Sequence, residues 1–136
     1  MKVLLVGYGK MGKAIEEILI ERGHLIVGRL NRKPEPEDMK EAEVAIEFSK
    51  PEVAFENISA LINHGVPVIS GTTGWISKID EIIKLNTDKD SAFLYASNFS
   101  LGVNLFFELN EYLSRLMSIY PEYNIELKEI HHTKKL

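Results

Sequence analysis

Short apolar runs alternate along this chain with stretches in which apolar residues return every three or four positions. Lys2 to Val6 is β-branched and leucine-rich and reads as a buried strand. Ala14, Ile15, Ile18 and Leu19 follow at helical spacing, and Gly23 stands where a helix commonly stops. Leu25 to Leu30 reads as the next strand, so a βαβ unit is complete within about thirty residues. Asn31 to Glu41 is polar, carries Pro34 and Pro36, and is expected as an exposed loop. A third strand is predicted over Val44 to Phe48. Pro51 then opens a helix with Ala54, Ile58, Leu61 and Ile62 on one face, closed by Gly65. Val66 to Ser70 is the fourth predicted strand. Ile79, Ile82 and Ile83 mark a helix with Ser77 and Asp80 as a capping pair. Ala92 to Tyr95 reads as a fifth strand, Ala96 to Gly102 as a loop, and the residues through Met117 as a long amphipathic helix. Tyr123 to about His132 reads as a sixth strand.

Strands alternating with helices through short connections imply right-handed crossovers and an α/β, Rossmann-like, doubly wound parallel sheet. Every βα loop then falls on one edge, outside the carboxyl ends of the strands, where such sheets bind ligands. Gathered there are Gly7-Tyr8-Gly9-Lys10-Met11-Gly12, Asn31-Arg32-Lys33, Glu47-Phe48-Ser49, Gly71-Thr72-Thr73-Gly74 and Asn98-Phe99-Ser100.

Few functions require glycine at positions 7, 9 and 12 together. The first can turn at positive φ, the second lets backbone approach a pyrophosphate, and the third lets a helix pack closely on a strand. The helix that follows presents unpaired N–H groups and a partial positive charge to phosphates. A dinucleotide site is the expectation.

Composition narrows the class. At 136 residues, 45% hydrophobic and 26% charged, the chain suits one main soluble domain, and a net charge of -4 argues against a broad nucleic-acid or anionic-membrane surface. With no cysteine there is no disulfide framework and no thiolate nucleophile, which fits a cytoplasmic location. The short apolar run before Gly7 is too brief for a signal peptide, and no stretch has the length to cross a bilayer.

Two sites refine the chemistry. NAD-specific folds usually end the second strand with a carboxylate for the ribose 2′-hydroxyl; here Asn31 occupies that place and Arg32 and Lys33 follow. A guanidinium suits a 2′-phosphate, so NADPH is the expected cofactor, with NADH as the alternative; read without context, both cations are solvated loop charges. Near the other end lies His131-His132-Thr133-Lys134-Lys135. On a strand His131, Thr133 and Lys135 share one face, joining a group that titrates near neutrality to a fixed cation. That pairing suits proton delivery to a substrate whose negative charge is held, although such residues near a terminus also read as a solvated tail.

From the glycine loop through Glu47-Phe48-Ser49-Lys50-Pro51, Gly71-Thr72-Thr73-Gly74 and Asn98-Phe99-Ser100-Leu101-Gly102-Val103-Asn104 to Glu129-Ile130-His131-His132-Thr133-Lys134-Lys135, the chain resembles the 4-hydroxy-tetrahydrodipicolinate reductase family, also called dihydrodipicolinate reductase. The resemblance implies hydride reduction by NAD(P)H of a cyclic dicarboxylate, with loss of water, in the lysine (diaminopimelate) pathway. It implies His131 as catalytic acid, Lys135 as its partner and His132 as a substrate contact. The cofactor would lie against Gly7, Tyr8, Gly9, Lys10, Met11 and Gly12, with Asn31 and Arg32 at the adenosine ribose. Phe48, Gly71, Thr72, Thr73, Asn98 and Phe99 would surround the nicotinamide end. No metal is implied. Residues 1–102 are expected as the dinucleotide-binding domain and 103–136 as the connecting helix and first strand of an incomplete substrate domain.

Family members continue beyond the position of Leu136 into a substrate and oligomerisation domain. The chain is therefore expected to be a fragment of a longer, homo-oligomeric reductase, or a truncated form that has lost activity. The alternative is a non-catalytic dinucleotide-binding regulatory module.

Overall fold

The computed structural model describes residues 1–128 and 130. Five strands form one parallel sheet: β1 (Lys2–Val6), β2 (Leu25–Leu30), β3 (Val44–Glu47), β4 (Val68–Ser70) and β5 (Phe93–Tyr95), in the order β2-β1-β3-β4-β5. The crossovers are α1 (Lys10–Glu21), α2 (Pro36–Met39), α3 (Pro51–Asn63) and α4 (Ile79–Asp88), the last preceded by a 3-10 turn at Ile76–Lys78. The chain reverses direction across the sheet between β1 and β3, so right-handed connections put α1 on one face and α3 and α4 on the other. The Rossmann-like, doubly wound architecture read from periodicity is the one observed.

The core lies mainly on the α3 and α4 side. Ala54, Ile58, Leu61 and Ile62 of α3 and Ile82 of α4 are fully buried with Leu4, Val6, Ala45 and Val68 of the strands. Trp75 anchors this face, edge-on to Phe93 and Tyr95 at centroid distances of 6.3 and 5.5 Å, its indole N–H donating to the Thr72 carbonyl at 2.7 Å. The α1 side is thinner: Ile15 and Leu19 are half-buried, whereas Ala14 and Ile18 of the anticipated apolar face are exposed.

Helix ends follow local chemistry. At the end of α3, Gly65 turns at φ +78 and donates to the Ile62 carbonyl, and Val66 donates to Leu61. This wrap, with Pro67 behind it, takes Val66 out of the predicted fourth strand, which starts at Val68. Gly23 closes α1 in the same way. The anticipated loop between Asn31 and Glu41 contains α2, whose Glu35 and Asp38 form a reciprocal capping box around Pro36. The expected cap of Ser77 on Asp80 does not form, because Ser77 lies inside the 3-10 turn and Lys78 occupies the N-cap position of α4.

The chain divides into two units, Met1–Asn98 and a second beginning at Phe99. In the second, α5 (Leu101–Met117) starts two residues earlier than periodicity indicated, since the Ser100 hydroxyl accepts the Val103 N–H at 3.4 Å. Leu105, Phe106, Leu109 and Leu113 along it are exposed. The sixth strand is not seen among the described residues: 123–128 carry no strand pairing, and Tyr123, Ile125 and Leu127 are exposed. Alternation supplies a face, but a strand also needs a partner to take up its backbone groups. Ile130 is exposed as well, and residues 129, 131 and 132 of that segment lie outside the described residues. No helix among the described residues is long and apolar enough to cross a membrane.

One helix end carries a correctable strain. At the end of α4, Asp90 adopts φ 48 at the position that glycine fills in α1 and α3, with Asp90 donating to Thr87 and Ser91 to Asn86. Asp90→Gly is expected to raise unfolding free energy by about 0.5 kcal/mol, read as a higher urea midpoint with unchanged slope.

Candidate dinucleotide site

The glycine loop is built between the ends of β1, β2 and β3. Gly7 turns at φ +91, and a Cβ there would collide with the Phe48 carbonyl. Its N–H donates to the Leu30 carbonyl at 2.7 Å, while the Tyr8 N–H reaches the Asn31 side-chain oxygen at 2.8 Å. Asn31 thus fastens the loop to the end of β2. A Cβ on Gly12 would stand 2.5 Å from the Gly7 carbonyl oxygen, so α1 can pack this close only with glycine there. Gly9 differs from both: it has φ -93 and nothing within 4 Å of an added Cβ.

A cleft of about 480 Å³ opens here, lined by Gly7, Gly9, Asn31, Arg32, Phe48 and Ser49 among others. It lies where the strand order reverses, and α1 begins beside it with no side chain capping its N-terminal N–H groups and no acid in its first turn. Of the residues expected at the cofactor, Gly7, Gly9, Asn31, Arg32 and Phe48 converge on this cleft. Lys10 and Met11 are exposed at the start of α1, and Gly12 is buried beneath the loop. The Tyr8 ring turns away, its hydroxyl donating to Glu16 of α1, which also accepts from Arg29 of β2 through Nε at 2.7 Å and through Nη2. Arg29 first, and then the Tyr8 hydroxyl, hold the Glu16 carboxyl below the ordinary glutamate range.

Beside the cleft lies a group that sequence reasoning did not single out. Glu47, the last residue of β3, is fully buried and accepts from four donors: the Ser49 N–H at 2.9 Å, the Ser49 hydroxyl, the Thr72 hydroxyl at 2.9 Å and the Ser70 hydroxyl at 2.6 Å. The Thr72 hydroxyl in turn accepts the Ser49 N–H at 2.8 Å. Glu47 therefore ties the loop after β3 to the loop after β4, and the Thr72 side chain faces this network while Thr73 is exposed. Gly71 leaves room for the Phe48 ring, with which a Cβ would collide. The signal was present in Val44-Ala45-Ile46-Glu47: the acid falls in phase with buried Ala45, two residues before it, and so on the core side. Asn98 ends the first unit and Phe99, half-exposed, begins the second. His131, His132 and Lys135 lie outside the described residues.

At the rim, the Arg32 guanidinium grips Asp38 of α2 with both nitrogens, Nη1 to Oδ2 at 2.7 Å and Nη2 to Oδ1 at 2.9 Å. That hydrogen-bonded cation holds the Asp38 carboxyl below its usual range, with help from the Glu35 N–H. Asp38 was likewise missed, being eight residues past the end of β2 in a segment read as loop.

A parallel sheet with a glycine turn feeding a helix at its switch point defines a Rossmann-like protein of the dinucleotide-binding class. Residues 1–99 match the family model described as dihydrodipicolinate reductase, N-terminus. The chain belongs to that family. It is 48% identical over 138 residues to 4-hydroxy-tetrahydrodipicolinate reductase of Christiangramia forsetii, a match covering 100% of this chain and 58% of that protein. Identity to the protein of the same name from Staphylococcus aureus is 31% over 150 residues, again covering 100% and 58%. The chain thus spans a little over half the length of these relatives. Among solved structures, aspartate dehydrogenase from Thermotoga maritima is similar with a TM-score of 0.57 at 18% identity, over 82% of this chain and 52% of that one. An NAD-binding protein from Listeria innocua gives 0.52 at 13%, over 71% and 35%. These two likenesses concern the fold alone.

The Glu47 network predicts a large effect on stability. Glu47→Ala takes the acceptor from the buried Ser70 and Thr72 hydroxyls and from the half-buried Ser49 hydroxyl, and is expected to cost roughly 3 kcal/mol of unfolding free energy. Glu47→Gln keeps one acceptor oxygen and should cost about half as much. Urea denaturation of the two variants measures both.

Proposed function

We propose that this chain is the cofactor-binding part of an NADPH-dependent 4-hydroxy-tetrahydrodipicolinate reductase, with NADH as a second cofactor. The observation that carries the reading is Gly9. The fold itself does not need glycine there, since an added Cβ meets nothing, yet the position lines the cleft beside the uncapped start of α1. A backbone position left open to the cleft, at a helix start whose N–H groups no side chain caps, suits a ligand that approaches from outside, and a pyrophosphate fits both the space and the N–H groups.

The residues then divide the work. Gly7 and Gly12 shape the loop, Gly9 admits the pyrophosphate, and the N–H groups of α1 bind it. Arg32 faces the adenosine ribose, with Asn31 holding the loop in register. By resemblance, Phe48, Gly71, Thr72, Thr73, Asn98 and Phe99 shape the nicotinamide end, where Glu47 keeps two of these loops together. A bound nicotinamide supplies hydride. His131 delivers the proton with Lys135 as its catalytic partner, and His132 contacts a cyclic dicarboxylate substrate, with residues 103–136 opening the substrate domain. On the same proposal the reaction belongs to lysine (diaminopimelate) biosynthesis, a reading the relatives' names support, and the full-length protein is a cytoplasmic homo-oligomer.

Calorimetric titration is expected to show binding of both NADPH and NADH. Gly9→Ala should weaken both by more than about tenfold while changing stability by less than about 1 kcal/mol. Absence of binding to folded wild-type protein overturns the proposal. In the protein carried to the full length of its relatives, His131→Ala is expected to lower kcat by about a hundredfold or more and to leave NADPH affinity within about twofold. An unchanged kcat removes His131 from the chemistry, and cofactor binding with no turnover in the full-length protein favours a regulatory module.

A further inference from the structure

The end of β2 carries a cation suited to a 2′-phosphate, but that cation is already engaged. Both terminal nitrogens of Arg32 are committed to the Asp38 carboxylate at 2.7 and 2.9 Å, and Nη1 also donates to the Lys33 carbonyl at 3.0 Å. A second acid, Glu35, stands 3.8 Å from the same nitrogen. Asp38 does not depend on Arg32 for its position: it accepts the Glu35 N–H at 2.9 Å in the capping box of α2, and its side chain is 17% exposed against 52% for Arg32. The fold thus holds the carboxylate in place, and the arginine, from the cleft rim, closes on it.

A 2′-phosphate has the geometry to use the same two-pronged face of a guanidinium that a carboxylate uses. To bind Arg32 it must displace Asp38 or take a poorer edge, and in either case a fixed negative charge remains beside it. A ribose 2′-hydroxyl meets no such opposition. Building on the reading of the cleft as a dinucleotide site, we propose that Asp38 is a specificity-determining residue: it occupies the Arg32 fork and so suppresses preference for the 2′-phosphorylated cofactor. The rim then takes NADH nearly as well as NADPH, although its strand end lacks the acid usual for NAD. Lys33 and Lys50 are the other cations that line the cleft among the described residues, and Lys40 is held by Glu37 at 2.6 Å.

The test is calorimetric or fluorescence titration of NADPH and NADH against wild type, Asp38→Asn, Arg32→Ala and the double variant. Asparagine keeps an oxygen for the Glu35 N–H, and Asp38→Ser is a second variant that can cap α2; circular dichroism reports whether each is folded. Both are expected to tighten NADPH about fivefold, as a nearby opposing charge is removed, with NADH within about twofold. In the Arg32→Ala background the Asp38 substitution should tighten NADPH by less than about twofold, since only the direct repulsion is then relieved and no fork is freed, and should leave NADH unchanged. An NADPH affinity that is unchanged or weaker in Asp38→Asn overturns the proposal, because Asp38 would then be neutral or a useful support for Arg32. So does an equal shift for both cofactors, which would mark a diffuse charge effect. Binding of neither by wild type sinks the dinucleotide reading itself; normal binding of both with an unaltered ratio in the variants sinks only the role of Asp38.

Discussion

The closest constraint in this structure is the backbone contact between Gly7 and Phe48, where β1 and β3 end side by side and no Cβ fits. The rest of the site is arranged around it. Phe48 donates its N–H to the Val6 carbonyl at 2.8 Å, which sets the register of the two ends, and its ring fills the space left by Gly71 in the next loop. Gly12 lies against the Gly7 carbonyl on the other side and brings the start of α1 to the cleft. Three loops are thereby positioned through contacts in which side chains have been removed rather than added. Van der Waals repulsion at such distances is steep, so the geometry is narrowly defined.

What contact leaves open, hydrogen bonding closes. Glu47 is buried without a cation beside it among the described residues, and its oxygens are satisfied by hydroxyls and an N–H from the loops after β3 and β4. An acid in such a place is costly unless every acceptor is used, and that same cost makes the network insistent on a single arrangement. The Glu16, Tyr8 and Arg29 cluster plays a comparable part on the α1 side. It draws the one aromatic side chain of the glycine loop away from the cleft and leaves backbone to face a ligand.

Much of this was legible from local signals. Strand and helix periodicity located β1 through β5 and the flanking helices, and Gly23 and Gly65 marked helix ends because few other residues adopt positive φ without strain. Errors fell where a local pattern had more than one outcome. Pro34 and Pro36 read as loop, yet a capping box made a single turn of helix at Pro36–Met39. Ser77 and Asp80 had the spacing of a cap, but a 3-10 turn claimed Ser77. Tyr123, Ile125 and Leu127 alternate as a strand does, while pairing depends on a neighbour that spacing cannot reveal.

By itself the sequence determined the class of fold, the glycine turn and the family, since periodicity and the φ preferences of glycine are properties of short segments. Tertiary structure decided which of the candidate groups meet. Asn31 was read as a ribose contact and also secures the loop through the Tyr8 N–H; Thr72 was read as a cofactor contact and also bonds inward to Glu47; Arg32 was read as the partner of a 2′-phosphate and is bound by Asp38. Each of these partnerships joins residues from different elements, or across a short helix that the sequence pattern did not show. A charged or hydroxyl group takes the partner that desolvation and geometry place beside it, and only the folded chain brings those partners within reach.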